Sequence, residues 1–160
     1  MAHRADRMKT RTVKKASVFP ASTHVVFREL QKLSTLQYIA APYASFTPTD
    51  GSGDLFWEVG RTFSFHFRLF GMIPYGTHVI RVRRFDEGEI YTNEGNEHVP
   101  VWNHRITLKE TDGGGTEYTD EVEIGAGWKT AAIWLWAKAF YAHRQRKWIK
   151  LLNRGGCNDA

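Results

Sequence analysis

Cysteine is almost absent from this chain. Cys157 stands alone, in a polar segment behind Gly155 and Gly156. One thiol closes no internal disulfide, so stability must come from packing, and the chain is long enough to bury a proper core. Such cysteine poverty fits a reducing, cytoplasmic compartment. Long apolar runs are missing too. None approaches the roughly 18 residues of a membrane-spanning helix, so stable membrane insertion is not expected. The first residues lack the apolar segment of a secretory signal. Catalytic signatures are equally scarce. There is no HExxH pair for a metal and no elbow motif around a serine. Gly113-Gly114-Gly115 follows no phosphate-binding pattern and reads as a hairpin loop, so no cofactor and no metal is expected.

Acid is missing from one stretch in particular. Residues 127–153, GWKTAAIWLWAKAFYAHRQRKWIKLLN, carry six Lys and Arg, no Asp or Glu, no proline and no internal glycine. Ile133, Trp136, Ala137, Phe140, Tyr141, Arg144, Trp148, Leu151 and Leu152 recur at steps of three and four, the period of one helix face. Lys138, Gln145, Arg146 and Lys150 fall largely on the opposite face. A helix of this length spans roughly 40 Å. Its face is too aromatic to stand in water, so the preceding residues must cover it.

The formal charge of +5 looks like a nucleic-acid signal until it is located. Of 22 basic and 17 acidic residues, six basic and one acidic fall in the first fifteen, and the rest of the chain balances. Charge confined to a terminus and one helix face is no uniform nucleic-acid field. No nucleic-acid partner is expected, and the sequence leaves the oligomeric state open. Residues 1–9 read as a basic disordered tail, 10–153 as a single domain and 154–160 as a polar tail.

What the chain has in plenty is aromatic side chains: 14% of residues, six of them Trp. They either fill a wide core or line a cavity. In chain order, Thr10–Val18 reads as an edge strand. Ser22 or Thr23 caps a helix over His24–Leu33, and Ser34 starts a second helix ended by Pro42. Strands follow at Tyr43–Thr49, Phe56–Phe70, Thr77–Phe85, Glu89–Asn96, Val101–Glu110 and Thr116–Ile124. Asp50–Asp54, Gly71–Gly76, Asp86–Gly88 and Asp112–Gly115 read as turns. Strand, two helices, six strands and a long helix, with short antiparallel connections, make an α+β fold. The expected architecture is a curved antiparallel sheet of about seven strands wrapped around the C-terminal helix.

Alternation sorts the strands into faces. Glu117, Glu121 and Glu123 must face water, so Tyr118, Asp120, Val122 and Ile124 face inward. The same logic turns Trp102, His104, Ile106 and Leu108 inward, with His78, Ile80 and Val82, and with Ile90, Thr92 and Glu94. Four polar residues therefore stand on the apolar face: His78, Glu94, His104 and Asp120, one on each of four successive strands. Measured from the intervening turns they lie opposite one another and should form a transverse row beneath the helix. Three readings stay open. The row is a satisfied polar network; or it recognises a ligand or assists acid–base chemistry on a bound carbonyl or hydroxyl; or it is a metal site of two histidines and carboxylate. In the second reading His104 is the candidate general acid/base and Asp120 the group that orients it, with His78 and Glu94 as ligand contacts. Arg144 lies near the helix's buried face, where it snorkels or pairs with an inward carboxylate.

The element order over residues 10–153 resembles the START-like (SRPBCC, helix-grip) superfamily of polyketide cyclases and lipid-transfer domains. Local segments are similar to bacterial members: Trp57-Glu58-Val59-Gly60, Pro74-Tyr75-Gly76-Thr77-His78, Trp102-Asn103-His104, Thr116-Glu117-Tyr118-Thr119-Asp120 and Tyr141-Ala142-His143-Arg144. That resemblance implies an elongated cavity between sheet and long helix for a small hydrophobic partner: a lipid, a polyketide or an aromatic metabolite. Its implied wall is Phe63, Phe65, Phe67, Ile80 and Trp102, continued by Ile106, Tyr118, Trp136, Phe140 and Tyr141. Only some members are enzymes, and a cyclase or dehydratase using the inward His and carboxylate set is the alternative.

Overall fold

The computed structural model describes residues 8–51 and 57–155. Most of the expected N-terminal tail, Phe56, Cys157 and part of the Asp50–Asp54 turn lie outside that range. Strand β1 (Arg11–Phe19) is followed by helices α1 (Thr23–Leu30) and α2 (Leu33–Ala40). Then come β2 (Ala44–Pro48), β3 (Thr62–Leu69), β4 (Ile73–Phe85), β5 (Glu89–Gly95), β6 (Val101–Glu110) and β7 (Thr116–Gly125). A 3-10 turn at Gly127–Lys129 leads into α3 (Thr130–Gly155). The seven strands form one sheet in the order β1-β7-β6-β5-β4-β3-β2, every neighbouring pair antiparallel. This is the helix-grip architecture.

Local chemistry accounts for the boundaries. Ser22 caps α1 by accepting from the Val25 amide at 3.3 Å. The helix read as running to Leu33 stops at Leu30, and α2 begins at Leu33 itself. The strand expected from Phe56 starts only at Thr62, because the chain first turns at Gly60, whose φ of 92° suits glycine. The Gly71–Gly76 segment, read as a turn, reverses the chain only at its start. Strand β4 runs from Ile73 through Pro74, which is tolerated because that end of β4 pairs with β3 alone, the β5 ladder beginning at Val79.

Two register shifts bend β4. Opposite β3, Tyr75 and Gly76 stand where β3 has one residue between Arg68 and His66. Opposite β5, Arg83 is the extra residue. Bulges of this kind increase twist and exchange the faces of the residues beyond them. Strands β3–β6 stand farther from α3 than β1 and β7 do. The helix packs closest on β1 and α2, with further contact on β7. Its ties to the β1 edge are specific: Trp134 Nε1 donates to the Thr12 carbonyl at 3.0 Å and Gln145 Nε2 to that of Lys15 at 2.8 Å.

Candidate functional site

The inner face of the sheet carries the expected polar residues, and they touch. His78 Nε2 lies 2.6 Å from Glu94 Oε2. The other oxygen of Glu94 accepts from the Thr92 hydroxyl at 2.6 Å. His104 Nε2 lies 2.7 Å from Asp120 Oδ1, and its Nδ1 stands 3.9 Å from Glu94 Oε1. Gln145 on α3 donates to Asp120 Oδ2 at 3.0 Å and accepts from the Ser17 hydroxyl at 2.5 Å. A line of polar groups thus crosses β4, β5, β6 and β7, climbs to α3 and ends on β1.

The row is oblique, not transverse. Glu94 pairs with Ile80 and Trp102, and Asp120 with Ile106. Each polar residue is thus displaced by two from the position directly opposite its partner, because each hairpin is centred one residue away from the expected midpoint. Diagonal neighbours on one face lie about 7–8 Å apart, a gap that an imidazole and a carboxylate close together.

Electrostatics favour the ionised carboxylates. Burial pushes the Glu94 carboxyl up, but the His78 hydrogen bond and charge, His104 and Thr92 outweigh it and hold it below the usual range. Asp120 is fully buried, and burial again pushes upward; the His104 hydrogen bond, the Arg144 charge and Gln145 prevail and leave it low. Arg144 loses hydration by burial, yet the neighbouring Tyr118, Asp120 and Tyr141 raise it further, so it is a fixed cation. Its guanidinium stands over the Tyr141 ring, 5.6 Å from the centroid. Burial pushes the Tyr118 and Tyr141 phenols up, and both stay protonated.

Beside this line, between α3 and the curled strands, is a cavity of about 290 Å³. Of the residues expected in its wall, Phe65, Phe67, Ile80, Trp102, Ile106, Trp136, Phe140 and Tyr141 are there, with His78, Glu94, His104 and Arg144. Three others are not. Phe63 lies outside the wall, its ring against Trp57 at 5.0 Å and under the Arg61 guanidinium. Tyr118 is buried between Phe19 and Trp148, and its hydroxyl donates to Asp120 at 3.3 Å. Asp120 sits behind His104, screened from the cavity by it.

Sequence reasoning missed Trp57, Tyr75, Phe85 and Phe46 in the wall, and Gln145 behind it. Tyr75 and Phe85 belong by alternation to the outer face; the two bulges turn them in. Gln145, expected largely on the face opposite the buried one, is itself buried. Its position, four after Tyr141 and three before Trp148, puts it on the buried stripe. His143 on α3 donates to the Ala41 carbonyl at 2.6 Å. Among the described residues no group of three or more His, Cys, Asp and Glu side chains is arranged to hold a metal ion. Likewise, no described helix is long and apolar enough to cross a membrane.

A family model, described as a domain of unknown function (DUF8410), matches residues 17–152. The chain belongs to this family. No curated protein matches this chain. Solved structures do match its fold. A protein from Chromobacterium violaceum is 14% identical with a TM-score of 0.68, over 88% of this chain and 96% of that one. A START superfamily protein from Mycobacterium smegmatis is 13% identical with a TM-score of 0.63, over 89% and 97%. Ara h 8.0201 is 12% identical with a TM-score of 0.57, over 89% and 99%. At such identities the likeness concerns the fold alone, and the fold of this chain is START-like.

Proposed function

We propose that the protein binds a small, largely apolar molecule in the cavity between the sheet and α3. The observation that carries this reading is the void itself, walled by aromatic and aliphatic side chains with a few polar groups converging on it. That is the composition of a small-molecule pocket, and its volume lies near the lower end of the usual range of about 300–1,000 Å³. The size favours a compact ring system over a diacyl lipid. The START-like fold supports the reading as an analogy of architecture.

A second reading rests on His104. His104 lines the cavity while Asp120 holds its Nε2 at 2.7 Å, an arrangement that puts the proton on Nε2 and leaves Nδ1 on the side of Glu94, 3.9 Å away. On a bound substrate this pair would act as general acid/base and orienting carboxylate, as in a cyclase or dehydratase. Replacement of His104 by Gln that leaves turnover of an identified substrate unchanged would reject that role.

The binding reading is tested by native mass spectrometry of the purified protein, followed by extraction. The expected result is a complex heavier than the chain that releases one compact apolar compound on denaturation. A bare mass, together with no heat on titration with apolar ring compounds, would overturn it.

A further inference from the structure

The polar groups of the cavity wall divide into donors that are spent or sealed and acceptors that stay open. A carboxylate has no hydrogen to give, so each imidazole nitrogen beside one donates: His78 Nε2 to Glu94 at 2.6 Å and His104 Nε2 to Asp120 at 2.7 Å. The Thr92 hydroxyl donates to Glu94 Oε1. Arg144 Nε and Trp136 Nε1 are fully buried and out of a ligand's reach. Two acceptors are left over. His104 Nδ1, with the proton on Nε2, offers a lone pair. Among the described residues no donor reaches it, and it is not one of the fully buried atoms, so it keeps a surface open to the cavity that His104 lines. Glu94 Oε1 has a lone pair beyond the one that Thr92 takes. The two atoms stand 3.9 Å apart. That is too far for an N–H between them, which would draw a carboxylate oxygen to about 2.7–2.9 Å. Two acceptors this close, with no donor among the described residues between them, are completed by a donor from outside.

We propose that the ligand carries a hydrogen-bond donor, a hydroxyl or an amine, that sits between His104 Nδ1 and Glu94 Oε1. The inference rests on the cavity reading and deepens it by naming the group that is recognised. One donor atom fits within about 3 Å of both acceptors when these are 3.9 Å apart. The rest of the molecule lies against Trp102, which adjoins both. Trp102 pairs with Glu94 across the β5–β6 ladder and precedes His104 by two on the same face of β6. The Tyr141 ring stands edge-on to His104 at 5.2 Å and continues the wall. A ligand oxygen that only accepts, as in a ketone, would meet lone pairs here and gain nothing. A carboxylate would add a second anion beside Glu94.

The test titrates the intact protein calorimetrically with probes of one shape: fluorene, its fluoro, hydroxy and amino derivatives substituted at the same position, and fluorenone. Fluorine is close to a hydroxyl in size and donates nothing. Hydroxyfluorene, aminofluorene or both are expected to bind about tenfold more tightly than fluorofluorene, the gain of one hydrogen bond to an ionised acceptor. A hydroxyl entering a pocket without a partner would instead lose affinity through its dehydration. Whichever of the two gains more tells hydroxyl from amine. Fluorenone should gain nothing over fluorene. In Glu94→Gln the advantage of the donor probes over fluorofluorene should shrink about threefold or more, because the acceptor loses its charge. That ratio is read within one variant, and the wild-type comparison decides even if the variant fails to fold. Donor probes that bind no better than fluorofluorene, fluorenone that outbinds them, or an undiminished advantage in Glu94→Gln would each overturn the proposal while leaving the cavity reading intact. Failure of every probe to bind would overturn the cavity reading and the proposal with it.

Discussion

The two ends of α3 bury aromatic side chains to different ends. Around Trp148 they close ranks: Phe19 stacks on Tyr118 at 4.5 Å and Trp148 on Phe19 at 5.7 Å, with Val26, Leu30 and Leu152 filling the gaps. Around Trp136 they form a wall: Trp136 stacks on Phe140 at 4.8 Å and Trp102 stands 6.4 Å away, with the cavity beside them. The residue types are the same. What differs is what lies across from them. In the far half of α3, around Trp148, Phe19 of β1, Tyr118 of β7 and Val26 and Leu30 of α1 close on the helix from every side. In the near half, around Trp136 and Phe140, Val13 of β1 and Val122 and Ile124 of β7 cover one flank, and the other flank faces the bulged strand β4 and its neighbours across the cavity. Aromatic content therefore does not decide between a core and a cavity; backbone curvature does.

The largest test of this contrast compares the two tryptophans. Trp148→Ala should cost about 3–5 kcal/mol, because a fully buried ring leaves a void that its neighbours cannot fill. Trp136→Ala should cost under about half as much, since Trp136 already borders empty space and is only half-buried. Urea unfolding of both variants decides it. Equal losses would mean that the near half is packed as tightly as the far half.

Next in size is the line of polar groups between the two regions. Asp120→Asn keeps the shape but strands the Arg144 charge, and should cost on the order of 3 kcal/mol at neutral pH. Its pH dependence gives the sharper check. Asp120 and Glu94 both titrate below ordinary carboxylates, so the unfolded chain binds protons more readily than the folded one. Their contribution is complete above the unfolded carboxyl range, about pH 4, and is lost as pH falls through the lower folded values. Urea midpoints measured from neutral to acid pH should fall steeply for the wild type and less steeply for Asp120→Asn. Parallel curves would remove Asp120 from the linkage.

The sequence carried this polar line well and the wall only in part. His78, Glu94, His104 and Asp120 stood out because charge on an apolar face violates alternation, and alternation survives an error of two residues in register. Tyr118 and Phe63 have the inward parity and the aromatic character of a wall, but parity says which face a ring is on and not whether another ring covers it. Tyr75 and Phe85 were illegible because one extra residue on β4 reverses the parity, and the sequence marks such a residue only by Gly76. Gln145 was hidden by its polarity, although helical spacing placed it among buried neighbours.

Adding volume should separate the regions with a smaller effect. Val26→Phe inserts a ring where none fits and should cost about 1–3 kcal/mol. Ile80→Phe extends into the cavity and should cost under about 1 kcal/mol, while abolishing the heat of binding of an apolar ring compound such as fluorene. Similar destabilisation by both substitutions would argue that the space beside Ile80 closes in solution.

The smallest effect comes from two glycines with matched strain. Gly76 in the β4 bulge has φ 87° and Gly114 in the β6–β7 hairpin has φ 80°. An added Cβ at Gly76 would sit 3.5 Å from the His98 ring, an ordinary contact, and at Gly114 it would meet nothing within 4 Å. Alanine at either site is therefore penalised mainly by backbone conformation, by about 1 kcal/mol. Their stability losses should agree within error. Their binding should not. Gly76 supplies the extra residue that turns Tyr75 into the wall, so Gly76→Ala should weaken the binding of fluorene several-fold as the bulge relaxes. Gly114 closes a hairpin beside the packed end, and Gly114→Ala should leave binding unchanged. A pair of alanine variants that bind alike would show that the bulge bends the strand without shaping the cavity.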